Sequence, residues 1–179
     1  MARAFVIFVT QLLLWLLLAQ VNHYLAPLNL YLFAGGLFVT FAALRLPLRP
    51  GLAVVLLGGL ICDANMPIAP HLSPMAFSLA HTHLLLFGLA FAFIYRLRDR
   101  MARDQTPIRV FVALLANLGL FLALSFTRIS ASPAPAAAWL RLFFDLACSQ
   151  VALALMAPWF FALQVRALEL TRTEPVAID

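Results

Sequence analysis

The sequence predicts an all-α membrane protein of six transmembrane helices, with the N-terminus and C-terminus cytoplasmic. Three observations lead there. First, 65% of the 179 residues are hydrophobic and 11% charged, with a mean hydropathy of +1.00, whereas a soluble domain is about 45–50% apolar and about 25% charged. Second, the apolar residues fall in six runs divided by short polar or proline-bearing breaks. Third, the arginines are concentrated in alternate breaks. These features exclude a soluble globular domain, a disordered chain and a disulfide scaffold. A crossing takes about 20 apolar residues. The chain therefore holds a single membrane domain over residues 1–170 and a short cytoplasmic tail over 171–179.

Segment one covers residues 4–21. Arg3 before an apolar run resembles a signal peptide, but the run exceeds the 7–15 residues of a signal core, and Leu17-Leu18-Ala19 is not a small-x-small cleavage site. It is read as a retained helix. Segment two covers 28–44, and segment three covers 51–62, between Pro47 and Pro50 on one side and Pro67 and Pro70 on the other. Twelve helical residues reach only about 18 Å, so segment three is a short spanning helix that ends at 63–65, its ends shielded by neighbours. Segments four, five and six cover 74–95, 108–126 and 136–165. Cys62 and Cys148 lie far apart within apolar stretches and read as free, small hydrophobes.

All twelve basic residues are arginine. With the N-terminus inside, ten fall on inner segments, and only Arg128 and Arg141 lie outside. Cytoplasmic loops carry this excess, and an even number of crossings is needed to keep it. The inner cluster Arg96, Arg98, Arg100, Arg103 and Arg109, interspersed with Asp99 and Asp104, is available to anionic headgroups or a cytoplasmic partner. Placed as topological markers, the arginines do not read as a nucleic-acid footprint despite the pI of about 10.2.

Polar residues inside membrane segments are costly and functional by default. The orientation gathers Asp63, His81, Arg128, Arg141 and Asp145 in the outer half, with Cys148 and Ser149 beside them. Gln11, Asn117, Gln150 and Gln164 are scattered elsewhere. Arg141 and Asp145 are spaced i,i+4 and pair on one helix face, while Asp63 has Arg128 or Arg141 as candidate partners. An ion-pair cluster that fixes helix packing is preferred here over a ligand pocket. His81 and His83 point to nearly opposite faces; one faces inward to a neighbouring helix and the other outward. No metal or other cofactor is expected, because no ligand spacing supports one. Small residues such as Gly35, Gly36, Gly58 and Gly59 favour close helix packing. The chain contains no H-E-x-x-H helix, G-x-S-x-G elbow or P-loop, so an enzyme is not expected.

Three patches resemble the MreD rod-shape-determining family. Residues 11–20 form a Leu/Trp run followed, after a polar break, by Pro27-Leu28-Asn29-Leu30. Arg49-Pro50-Gly51 leads to Gly58-Gly59-Leu60-Ile61-Cys62-Asp63, and Ala157-Pro158-Trp159-Phe160-Phe161 precedes Arg166. The chain departs from the family over 64–73, where prolines replace a glycine turn. The resemblance implies a fold similar to the substrate-binding subunits of energy-coupling-factor transporters. It also implies a non-enzymatic scaffold role in the bacterial inner membrane, within the cell-elongation complex that builds side-wall peptidoglycan. The partners so implied are an MreC-like protein, actin-like MreB, RodA and a transpeptidase. The alternative is a small-molecule-binding subunit of such a transporter, with Asp63, His81, Arg128, Arg141 and Asp145 around an outward pocket. Segment one lacks the Ala-x-x-x-Ala pattern such subunits generally carry.

Overall fold

The structure, a computed structural model, describes residues 2–28, 30–64, 82–101, 105–129 and 135–170. Among the described residues there are six α-helices and no strand: α1 (Ala2–Leu25), α2 (Gly35–Arg45), α3 (Leu48–Ala64), α4 (Thr82–Leu97), α5 (Thr106–Ile129) and α6 (Pro135–Leu170). The stretches Ala2–Leu28, Thr106–Phe126 and Trp139–Leu170 are long and apolar enough to cross a membrane. Their outward faces carry large apolar side chains, including Leu155, Trp159 and Leu163 on α6 and Phe5, Leu13 and Leu17 on α1. Apolar exposure on this scale is foreign to a soluble monomer.

Side-chain bonds fix the relative direction of the helices. Thr10, early in α1, accepts from Gln164 Nε2, late in α6, at 3.2 Å. Gln150 Nε2 donates to Leu114 O across α5 and α6. Arg98, in the 3-10 turn after α4, donates to Leu46 O between α2 and α3. Consecutive helices therefore run antiparallel. One end of the bundle holds the start of α1 and the end of α6 together with Arg3, Arg45, Arg49, Arg96, Arg98, Arg100, Arg109 and Arg166. The opposite end holds Asn22, Asp63, His83, Arg141 and Asp145.

Segment two departs from expectation. It was expected to be one apolar run over 28–44, but the chain makes a 3-10 turn at Ala26–Leu28, is non-helical over 30–34, and becomes helical only at Gly35. The remaining helix has 11 residues, about 16 Å of rise. It nevertheless forms the centre of the bundle, with every residue from Gly35 to Leu44 buried. A helix that is apolar all round is a core helix. The glycine pair allows it to lie there: a Cβ on Gly36 would sit 2.2 Å from Ala113 O and 2.7 Å from Asn117 N on α5.

The short third segment is longer than the 51–62 run predicted, at 17 residues. Pro50 falls in the first turn of α3, where a missing N–H costs no helical bond, and Gly51 N closes that turn onto Pro47 O at 2.9 Å. Further along, Gly59 brings α3 against α4, since a Cβ there would lie 2.7 Å from Leu84 Cα. Phenylalanines fill the space around α2. Phe41 stacks on Phe161 of α6, and Phe33 meets Phe87 of α4 and Phe121 of α5. α6 runs 36 residues and accommodates Pro158 in its interior. Proline is tolerated in membrane helices because neighbouring groups satisfy the freed backbone.

Candidate functional site

The end of the bundle opposite the arginines contains two side-chain clusters, and both hold the chain's own backbone. The first is built on Asp63, in the last turn of α3. Its Oδ1 accepts from His83 N at 3.1 Å and contacts His83 Nδ1 at 2.6 Å, and its Oδ2 accepts from Leu84 N at 3.1 Å. Both side chains are 5% exposed. The first amides of a helix have no intrahelical acceptor, and a side-chain oxygen normally supplies one from the residue just before the helix. Here the acceptor comes from another helix, 20 residues back in sequence. Its negative charge also lies at the positive end of the α4 dipole. With the carboxyl ionised it can only accept, and Nδ1–H is then the donor in the 2.6 Å contact. The His83 ring is then held edge-on to Phe87.

The second cluster holds the non-helical stretch 30–34. Asn22 of α1 makes a reciprocal pair with Leu32, each bond 2.8 Å. Asp145 of α6 accepts from Tyr31 N at 3.1 Å. One turn on, Ser149 accepts from Phe33 N at 3.0 Å and donates to Tyr31 O at 3.4 Å. Asn117 of α5, fully buried, donates to Phe33 O and accepts from Gly36 N, both at 3.1 Å. Non-helical backbone at membrane depth is tolerated only where protein surrounds it. Side chains from α1, α5 and α6 meet that requirement here.

The structure distributes the sequence candidates as follows. Among the described residues, Asp63 joins His83. Asp145 lies 3.6 Å from Arg141 Nε, but the Arg141 side chain is 58% exposed, and the shorter contact of Asp145 is to the Tyr31 amide. Arg128 lies in the last turn of α5, and its side chain is outside the described residues, as are Arg103 and residues 65–81 with His81. At the arginine-rich end, Arg96 and Arg100 are exposed. Arg98 lies over the Tyr95 ring at 3.9 Å and bonds Leu46 O. Arg109 is buried within α5, only 6% exposed. The basic cluster is thus partly a solvated surface and partly a structural staple.

His83, Asn117 and Asn22 carry more of this architecture than their positions in sequence announced. The available signal was a pairing of types: each lone amide or histidine in an apolar run needs a partner, and a glycine pair marks where the backbone comes near. No group of three or more His, Cys, Asp or Glu side chains is arranged to hold a metal among the described residues. A cleft does open elsewhere, between α1 and α3, lined by Gln11, Trp15, Gly58 and Cys62 among others. None of Asp63, Arg141 and Asp145 lines it. Comparison of the chain with protein-family models, curated proteins and solved structures finds no match.

Proposed function

We propose that this chain is a non-enzymatic membrane scaffold that crosses the bacterial inner membrane six times with both ends cytoplasmic. On the resemblance of its three sequence patches, its setting is the cell-elongation complex, with an MreC-like protein, MreB, RodA and a transpeptidase as partners. The observation that carries the scaffold reading is where the polar side chains are spent. Asp63, Asn117, Asp145 and Ser149 all bond the chain's own backbone, leaving the outward helix faces to apolar contacts. In lipid, helices associate through packing and a few interhelical hydrogen bonds, and an apolar exterior of this kind is suited to partner helices. The clustering of arginines at one end supports the orientation, since positive residues stay inside.

The test is depletion in the host together with affinity purification. Depleted rods are expected to round up, and the full chain to co-purify with an MreC-like protein. Cells that stay rod-shaped after clean depletion overturn the elongation role. Saturable thermal stabilisation of the purified chain by a vitamin assigns it to transport instead. Reporter fusions at residues 1, 104 and 179 are all expected to read cytoplasmic.

A further inference from the structure

The arginines at the basic end of the bundle differ in their settings. Arg109 is buried in α5, and Arg166 of α6 has the exposed acid Glu169 one turn on. Arg49, Arg96 and Arg100 are exposed, and all three belong to the inner end of one helix pair, α3 and α4. That pair is tightly joined: a Cβ on Gly59 would lie 2.7 Å from Leu84 Cα, and one on Gly88 3.2 Å from Leu56 Cδ2.

Each of the two helices turns an apolar stripe outward. On α3 it is Ala53, Leu57 and Leu60, all exposed, with Arg49 one turn before Ala53. On α4 it is Leu85, Leu89 and Phe93, 60–68% exposed, with Arg96 one turn after Phe93. Steps of three and four residues keep each stripe and its arginine on one side of the helix. Because α3 and α4 run antiparallel, both stripes finish in an arginine at the same end. From Arg49 to Leu60, and from Leu85 to Arg96, the rise is about 16 Å. One leaflet of a hydrocarbon layer about 30 Å thick is about 15 Å deep. Two adjacent stripes, each one leaflet deep and each headed by a cation, match a two-chain lipid with an anionic head.

The charge at the head of the stripes is positive and partly fixed in place. Arg98 donates from Nη1 to Leu46 O at 3.0 Å and lies 3.9 Å over the Tyr95 ring. Among the described residues at this end of the pair, the acid is Asp99, 3.6 Å from Arg98 Nε. That contact offsets one arginine and leaves the group with a positive excess. Aromatic and basic side chains at this level face the headgroup layer. An acidic cytoplasmic segment would meet the arginines and leave the stripes unused. An apolar partner helix would cover the stripes and leave the arginines unused. A phospholipid engages both.

We propose that the outward face of α3 and α4 holds one anionic phospholipid of the inner leaflet, its two chains along the stripes and its phosphodiester against Arg49 and Arg96. The site requires that the chain span a membrane and does not depend on the elongation role, so rods after depletion leave it standing.

The test is native mass spectrometry of the full chain in neutral detergent, titrated with dioleoylphosphatidylglycerol or dioleoylphosphatidylcholine. One phosphatidylglycerol is expected to be retained about 25-fold more tightly than phosphatidylcholine, about fivefold for each of the two arginines at its phosphate. Arg49→Gln and Arg96→Gln each lower that preference about fivefold. Arg96→Lys keeps it, as does Arg166→Gln on α6. Glycerol phosphate, the headgroup without chains, does not displace the lipid. Equal retention of the two lipids overturns the proposal, as does a preference that survives the double Arg49→Gln, Arg96→Gln variant. An equal loss in Arg166→Gln overturns it in favour of a diffuse charge effect, and displacement by glycerol phosphate in favour of a soluble phosphate ligand.

Discussion

Replacing Asp63 with alanine tests whether one carboxylate organises the start of α4. The substitution removes the acceptor of three donors: the amides of His83 and Leu84 and the His83 ring N–H. Loss of an ordinary helix cap costs about 0.5–2 kcal/mol. Burial raises the stake, because a buried donor left unsatisfied costs about 1–3 kcal/mol, and both side chains here are 5% exposed. Three donors at the low end of that range, with some relaxation of the helix end, give about 2–3 kcal/mol. Asp63→Asn keeps one carbonyl oxygen for the His83 groups and turns an NH₂ toward Leu84 N–H, so its expected cost is about 1–2 kcal/mol. The assay is reversible unfolding of the full chain in mixed micelles, with hydrogen exchange read at residues 83–86. Faster exchange confined to that turn, in the order Ala over Asn over wild type, is the expected pattern. An Asp63→Ala protein within about 0.5 kcal/mol of wild type, with unchanged protection at His83 and Leu84, would refute the trans-capping argument; surface changes have effects of that size.

Three further outcomes follow from the clusters around α2. Asn117→Leu leaves Gly36 N–H and Phe33 C=O without their partners in a fully buried site, an expected loss of about 2–4 kcal/mol by the same unfolding assay. Asp145→Leu costs about 1–3 kcal/mol through the Tyr31 amide, while Arg141→Leu stays within about 0.5 kcal/mol because that partner is largely exposed; equal losses in the two variants would return the weight to the ion pair. Gly36→Val is expected to prevent stable folding, since even its Cβ meets the α5 backbone, while Gly119→Ala, at an open helical position, stabilises by up to about 1 kcal/mol.

The apolar runs and the arginine spacing made the helical class and most helix positions legible. α1, α5 and α6 were visible because each is a long apolar run between polar breaks, and segment three because prolines bracket it. The break inside segment two was not, because hydropathy does not distinguish an apolar residue in a helix from one in an extended stretch. What holds residues 30–34 extended is long-range: Asn117 and Ser149 bond Phe33 from 84 and 116 residues away. The same limit applies to Asp63. Its charge marks it as a candidate with Arg128 or Arg141 as partners, but the sequence does not show the rotation of α4 against α3, which is set by packing at Gly59. That packing is what brings His83 to it.

The suspended entry to α2 also bears on the order in which the helices settle. α2 is too short to cross a bilayer unaided, and the groups that satisfy its first turn arrive with α5 and α6, translated some 80 to 116 residues later. Until then the Phe33 N–H and C=O and the Gly36 N–H lack the side chains that bond them. The central helix, made among the first, therefore settles fully only once α5 and α6 are in place.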